Sequence, residues 1–109
     1  MSAPVVVVVG GLGRAEADYR AVVKSLGFEL DYYERREPPA PHRLTTRGGA
    51  VNRPAAIVVF TAVCSHPQRE AAQRLAEALG LTVHYLRQPS VSALRRALAA
   101  LPAEGAHAR

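Results

Sequence analysis

The sequence predicts an α/β domain of three layers, built on a mostly parallel four-stranded sheet. Three observations predict it. Val5 to Val9 is an unbroken valine run, suited to a strand buried on both faces, where branched side chains pack well. The turn Gly10-Gly11-Leu12-Gly13-Arg14 follows at once and leads into a helical pattern. A second strand–turn–helix unit starts at Ala56-Ile57-Val58-Val59-Phe60.

Each element has its own warrant. Tyr19, Val22, Val23 and Leu26 recur at the spacing of one helical face, which predicts a helix over about residues 15–26, stopped by Gly27. Phe28, Leu30 and Tyr32 share one face of the next strand, about 28–33, and its mixed second face predicts a place nearer the sheet edge. Residues 34–55 carry Pro38, Pro39 and Pro41, which remove amide donors, so this stretch reads as an irregular insertion. It is expected to be a flap, an oligomer contact or simply mobile. After the central strand 56–60, Ser65 and Gln68 form a capping box for a helix over about 66–79, with Pro67 tolerated in its first turn. Leu75 and Leu79, with Ala71, Ala72 and Ala76, give it a narrow apolar stripe. Gly80 ends it, and Leu81 to Leu86 form the fourth strand. Ser90 or Ser92 caps the last helix, whose buried stripe is Val91, Leu94, Leu98 and Leu101. The expected organisation is a single domain over 1–103, with the 34–55 insertion, and a flexible tail at 104–109.

Composition narrows the function classes. The chain has 109 residues and 49% apolar content, enough for one modest core. No apolar stretch approaches the roughly 20 residues of a membrane span. The start Met1-Ser2-Ala3-Pro4 lacks a secretory signal's pattern, so cytoplasmic residence is the expectation. The lone Cys64 makes no internal disulfide. Lysine and arginine number 14 against nine acidic residues, and Lys24 is the sole lysine. This excess of arginine fits either a solvated basic surface or an anionic partner. Nucleic-acid binding is a lesser alternative, because Arg35, Arg36, Arg43, Arg47, Arg53, Arg95 and Arg96 form no single dense stripe.

Three of the turns also carry a family resemblance. Val9-Gly10-Gly11 with Arg14, Tyr19-Arg20, Cys64-Ser65-His66, Leu79-Gly80, Tyr85-Leu86-Arg87 and the stretch from Ser90 to Leu98 together resemble the DUF2325 family over most of residues 5–101. The chain departs from that family's usual pattern at Pro67, where an acidic residue is usual, and at Tyr33-Glu34, where histidine and glycine are usual. The resemblance implies a Rossmann-like fold and no particular substrate.

In a parallel sheet the turns after strands one, three and four emerge at one end. Gly11, Gly13, Arg14, Ser65, His66, Arg87, Ser90 and Ser92 are therefore expected to form a ligand site. Helix-terminal donors and arginine suit phosphate or a nucleotide, and the expected role is a non-catalytic sensor or binding domain for a small anionic ligand. Two readings of the glycine turn stay open: a tight turn that needs small residues, or anion contact by the N–H groups of residues 11–14. A full dinucleotide fingerprint is absent, since Glu16 stands at the third glycine position, and the acidic ribose ligand it needs after the second strand has only Asp31 or Glu34 as candidates. The alternative is an enzyme acting on a phosphorylated substrate through Cys64 or His66. A C-x5-R phosphatase loop is excluded by Glu70, and no metal-ligand spacing is recognisable. A homodimer is expected, because a small parallel sheet exposes its edges, with residues 34–55 wrapping across the contact.

Overall fold

The computed structural model describes residues 4–34 and 54–101. Strands β1 (Val5–Gly10), β2 (Glu29–Tyr33), β3 (Ala56–Phe60) and β4 (Val83–Leu86) alternate with helices α1 (Glu16–Ser25), α2 (His66–Leu79) and α3 (Val91–Ala99). All four strands are parallel, in the order β2-β1-β3-β4. Thus β2 is an edge strand, as its mixed second face predicts, and β1 and β3 are central. The insertion expected at 34–55 lies, apart from residues 34, 54 and 55, outside the described residues, as does the tail expected at 104–109.

The valine run explains the layering. Strand side chains alternate between faces, and β1 is buried along its whole length. Val5, Val7 and Val9 join Tyr33, Ile57 and Val59 beneath Ala72, Leu75 and Ala76 of α2. Val6 and Val8 join Leu30, Tyr32, Val58 and Phe60 beneath Tyr19 and Val23 of α1 and Leu94 and Leu98 of α3. One helix on one face and two on the other make the three-layer, Rossmann-like arrangement. Each fully buried leucine or isoleucine contributes about 1.5–3 kcal/mol. Among the described residues, no helix is long and apolar enough to cross a membrane.

Element boundaries shift where local hydrogen bonds compete with the pattern. A 3-10 turn over Gly13–Ala15 precedes α1, so the α-helix proper starts at Glu16. Phe28 N–H donates to Val23 O, 3.0 Å, which holds it to α1 and delays β2 to Glu29. Leu81 N–H donates to Ala76 O, 2.8 Å, so Leu81 closes α2 and β4 begins at Val83.

The register levels the strand exits. Val9 pairs with Tyr33, Gly10 with Phe60, and Phe60 with Leu86. Every strand therefore ends within about one residue of the same height, and the following turns form a row.

Candidate functional site

The turns after β1, β3 and β4 are joined by hydrogen bonds. Gly11 N–H donates to Val63 O at 2.8 Å, and Ala62 N–H donates to Arg87 O at 3.2 Å. Tyr19 on α1 bridges the first turn to the third: its hydroxyl accepts from Leu12 N–H, 3.2 Å, and donates to Pro89 O, 2.7 Å. Its ring lies against Phe60 and Tyr32, with centroids 5.3 and 5.8 Å away.

Close packing explains two of the glycines. Gly10 and Gly11 have φ of 85° and 87°, a region that side chains resist. A Cβ on Gly10 would stand 2.8 Å from Cys64 Cβ and nearer still to Val63 O; on Gly11 it would stand 2.8 Å from the Phe60 ring. These residues let the β1 turn lie directly on the β3 turn. The amide of Gly11, a candidate anion donor from sequence, is consequently used inside the protein, and so is that of Leu12. The amides of Gly13 and Arg14 meet no acceptor among the described residues. They open the 3-10 turn that runs into α1, where backbone donors are unpaired and anions are favoured.

The other candidate residues divide by what already holds them. Ser65 caps α2: its Oγ accepts from Gln68 N–H at 3.2 Å, and Gln68 Oε1 accepts from Ser65 N–H at 3.4 Å. Ser90 caps α3, its Oγ accepting from Ala93 N–H at 3.0 Å. His66 lies in solvent and pairs along its own helix with Glu70, Nε2 to Oε2 3.1 Å. Cys64 is a half-buried free thiol packed on the core beneath α2. His66 is thus engaged along its own helix, while Cys64 packs against the core. Arg14, Arg87 and Ser92 are exposed. Arg95 and Arg96 are exposed on α3, whereas Arg35, Arg36, Arg43, Arg47 and Arg53 lie outside the described residues.

Three residues outside the sequence-predicted set mark the end of β2 and the start of α2. Gln68 is buried, and its Nε2 donates to the carbonyls of Tyr33, at 3.3 Å, and of Glu34, tying the α2 cap to the end of β2. Its signal in the sequence was present but ambiguous: position 68 lies on the same helical stripe as Ala72, Leu75 and Ala76, facing the sheet. Glu34, thus anchored, sets its carboxylate in the space where a Gly13 side chain would be. Tyr32 is 7% exposed, and its buried hydroxyl has no hydrogen-bond partner among the described residues. Burial pushes the Tyr32 phenol upward from its ordinary pKa, reinforced by Tyr19 and by the carboxylates of Glu34 and Glu16. Glu16 is itself paired with Arg20 at 2.7 Å. An open recess of about 460 Å³ runs along the outer face of α1, lined by Glu16, Ala17, Arg20, Ala21 and Lys24. None of the eight sequence-predicted residues lines it.

These features define a small Rossmann-like α/β domain whose polar turns gather at the carboxyl end of the sheet. The chain belongs to the DUF2325 family, described as an uncharacterized protein conserved in bacteria, whose sequence profile matches residues 5–101. No curated relative and no solved structure matches the chain.

Proposed function

We infer that the domain is a non-catalytic sensor or binding module for a small anionic ligand, of the nucleotide or phosphorylated-metabolite class. The observation that carries this reading is the pair of amides at Gly13 and Arg14. They meet no acceptor among the described residues, open the helical turn before α1, and belong to the turn that carries the exposed Arg14 side chain. A phosphate there gains backbone donors, the helix-terminal field and a bidentate cation. Arg87, on the turn joined to this one through Pro89 and Tyr19, supplies a second exposed cation at the same end of the sheet. Ser65 and Ser90 support the site by holding α2 and α3, and the reading assigns their hydroxyls no acceptor role toward ligand. Mass spectrometry of gently purified protein tests it: a copurified phosphorylated compound is expected, and Arg14→Ala should release it. Retention unchanged by Arg14→Ala would remove this reading.

The same reading carries a cytoplasmic homodimer. Phosphorylated metabolites are concentrated inside the cell, and a half-buried free thiol suits a reducing compartment. Tyr85 is 46% exposed on β4, an edge strand whose outer side pairs with no described strand. A second copy covering that edge would remove both features. Sedimentation across a range of concentrations should show a dimer mass, weakened by Tyr85→Asp; monomer mass throughout would reject it.

A further inference from the structure

Of the two edge strands, β4 is the one that exposes an aromatic ring, Tyr85. A strand related to its own copy by a two-fold axis pairs antiparallel, and with the axis normal to the sheet the two sheets continue with like faces on the same side. The α2 helices of the two copies then flank the seam on one face, also antiparallel, with the start of one toward the end of the other. Val83 belongs to the core beneath α2, so Tyr85, two residues on, lies on that same face. Its ring stands in the gap between the two helices.

The residues that α2 turns to this gap follow from its contacts. Gln68 bonds to the end of β2, so its flank of the helix is turned to β2. Helical residues advance by about 100° each. Around the helix the order is therefore Gln68, Ala72, Ala76, Arg69. Arg69 thus lies across the buried alanines from Gln68, on the flank toward β4, against which α2 also packs. Gln73 and Glu77 follow at four-residue steps and continue the row outward. The row reads cation, amide, carboxylate. Turned end for end against itself it is complementary, with the cation facing the far carboxylate and the amide facing its own copy. Arg69 is half-buried and Glu77 exposed, and neither has an ion pair among the described residues, where Arg20–Glu16 and His66–Glu70 are the pairs.

Building on the dimer reading, we propose that the occupant of the β4 edge is a second copy bound antiparallel, and that Arg69 of each copy pairs with Glu77 of the partner subunit. A parallel approach would set like charges together, so the row also selects the orientation.

Sedimentation equilibrium of the full chain and its charge variants tests this. Arg69→Glu and Glu77→Arg each create two like-charge contacts by symmetry, and each should raise the dimer dissociation constant about tenfold or more. Arg69→Glu combined with Glu77→Arg restores opposite charges and should return it to within about threefold of wild type. The two residues lie about 12 Å apart along one helix, too far to pair within a chain, so recovery comes from the other copy. Arg74→Glu makes the same change in net charge off the row and should leave the dimer as tight as wild type. Far-ultraviolet circular dichroism checks that each variant folds. Where the half-buried Arg69 site does not tolerate the change, Gln73→Lys, exposed and facing its own copy, should weaken the dimer in its place. If wild type dimerises and the single reversals leave it intact, the double variant fails to recover, or Arg74→Glu weakens it equally, the α2 pairing falls while the dimer reading stands. A wild-type monomer at every concentration overturns the dimer reading, and this inference with it.

Discussion

Gly10 and Gly13 lie three residues apart in one turn, yet alanine should be rejected at the first and accepted at the second. At Gly10 the backbone has φ of 85°, which costs an L-residue roughly 1–2 kcal/mol. The new Cβ would also stand 2.8 Å from Cys64 Cβ and closer to the Val63 carbonyl. Neither neighbour is the free end of a flexible chain. Relief requires the β1 and β3 turns to part, and such overpacking costs about 1–3 kcal/mol. Parting them also stretches the Gly11–Val63 hydrogen bond, worth about 1 kcal/mol net. The expected loss for Gly10→Ala is therefore about 4 kcal/mol, a large share of a typical 5–15 kcal/mol stability.

Gly13 has no positive φ, and the group in its way is the Glu34 carboxylate, the tip of an exposed side chain. Glu34 can swing aside, and alanine favours the helical turn over glycine. Gly13→Ala should stay within about 1 kcal/mol of wild type, while displacing the Glu34 carboxylate. Equilibrium urea unfolding, followed by far-ultraviolet circular dichroism, measures both from the midpoint and slope. A Gly10→Ala loss under about 1 kcal/mol, or a Gly13→Ala loss as large as Gly10→Ala, would refute the account of how these turns pack.

Other substitutions probe the joints between turns. Tyr19→Phe keeps the ring contacts but deprives Leu12 N–H and Pro89 O of their shared partner, and should cost about 1–3 kcal/mol; a loss below about 0.5 kcal/mol in urea would mean that water replaces the bridge. Ser65→Ala should cost about 1 kcal/mol through the lost cap. Gln68→Ala should cost more, because it also releases the Tyr33 and Glu34 carbonyls, and equal losses would deny that tie. Tyr32 sets a pH dependence. Its folded pKa is raised above the ordinary 10.0, so the unfolded chain loses the proton first. The stability this contributes is complete below about pH 10 and declines above it, by at most about 1.4 kcal/mol per pH unit. Tyr32→Phe should flatten that decline, and an unchanged alkaline slope would contradict the assignment.

The architecture was legible because the relevant signals are local and redundant. The valine run, the helix stripes and the caps at Ser65 and Ser90 each agree with the layer they end up in. Boundaries were less legible at Phe28 and Leu81, where a single backbone bond to a neighbouring helix outweighs strand propensity. For the site, the meeting of the three turns followed from parallel topology, but the use of each donor did not. Whether an amide is free depends on a partner far along the chain: Val63 for Gly11, and Tyr19 for Leu12. The tie from Gln68 to the end of β2 was harder still, because its partners Tyr33 and Glu34 lie 35 and 34 residues away in the chain.

That division bears on where function can reside. Most polar groups at the carboxyl end of the sheet face two demands, joining the turns and contacting a ligand, and joining comes first because an unpaired buried group destabilises the fold. Gly11, Ser65 and Ser90 already meet the first demand within the protein. On the proposed reading a ligand is left with the amides of Gly13 and Arg14, which meet no acceptor among the described residues, and with the exposed side chains of Arg14 and Arg87. On that reading net positive charge alone is a poor guide to the partner, because the few donors left unused at this end of the sheet, and not the chain's total charge, would decide what binds.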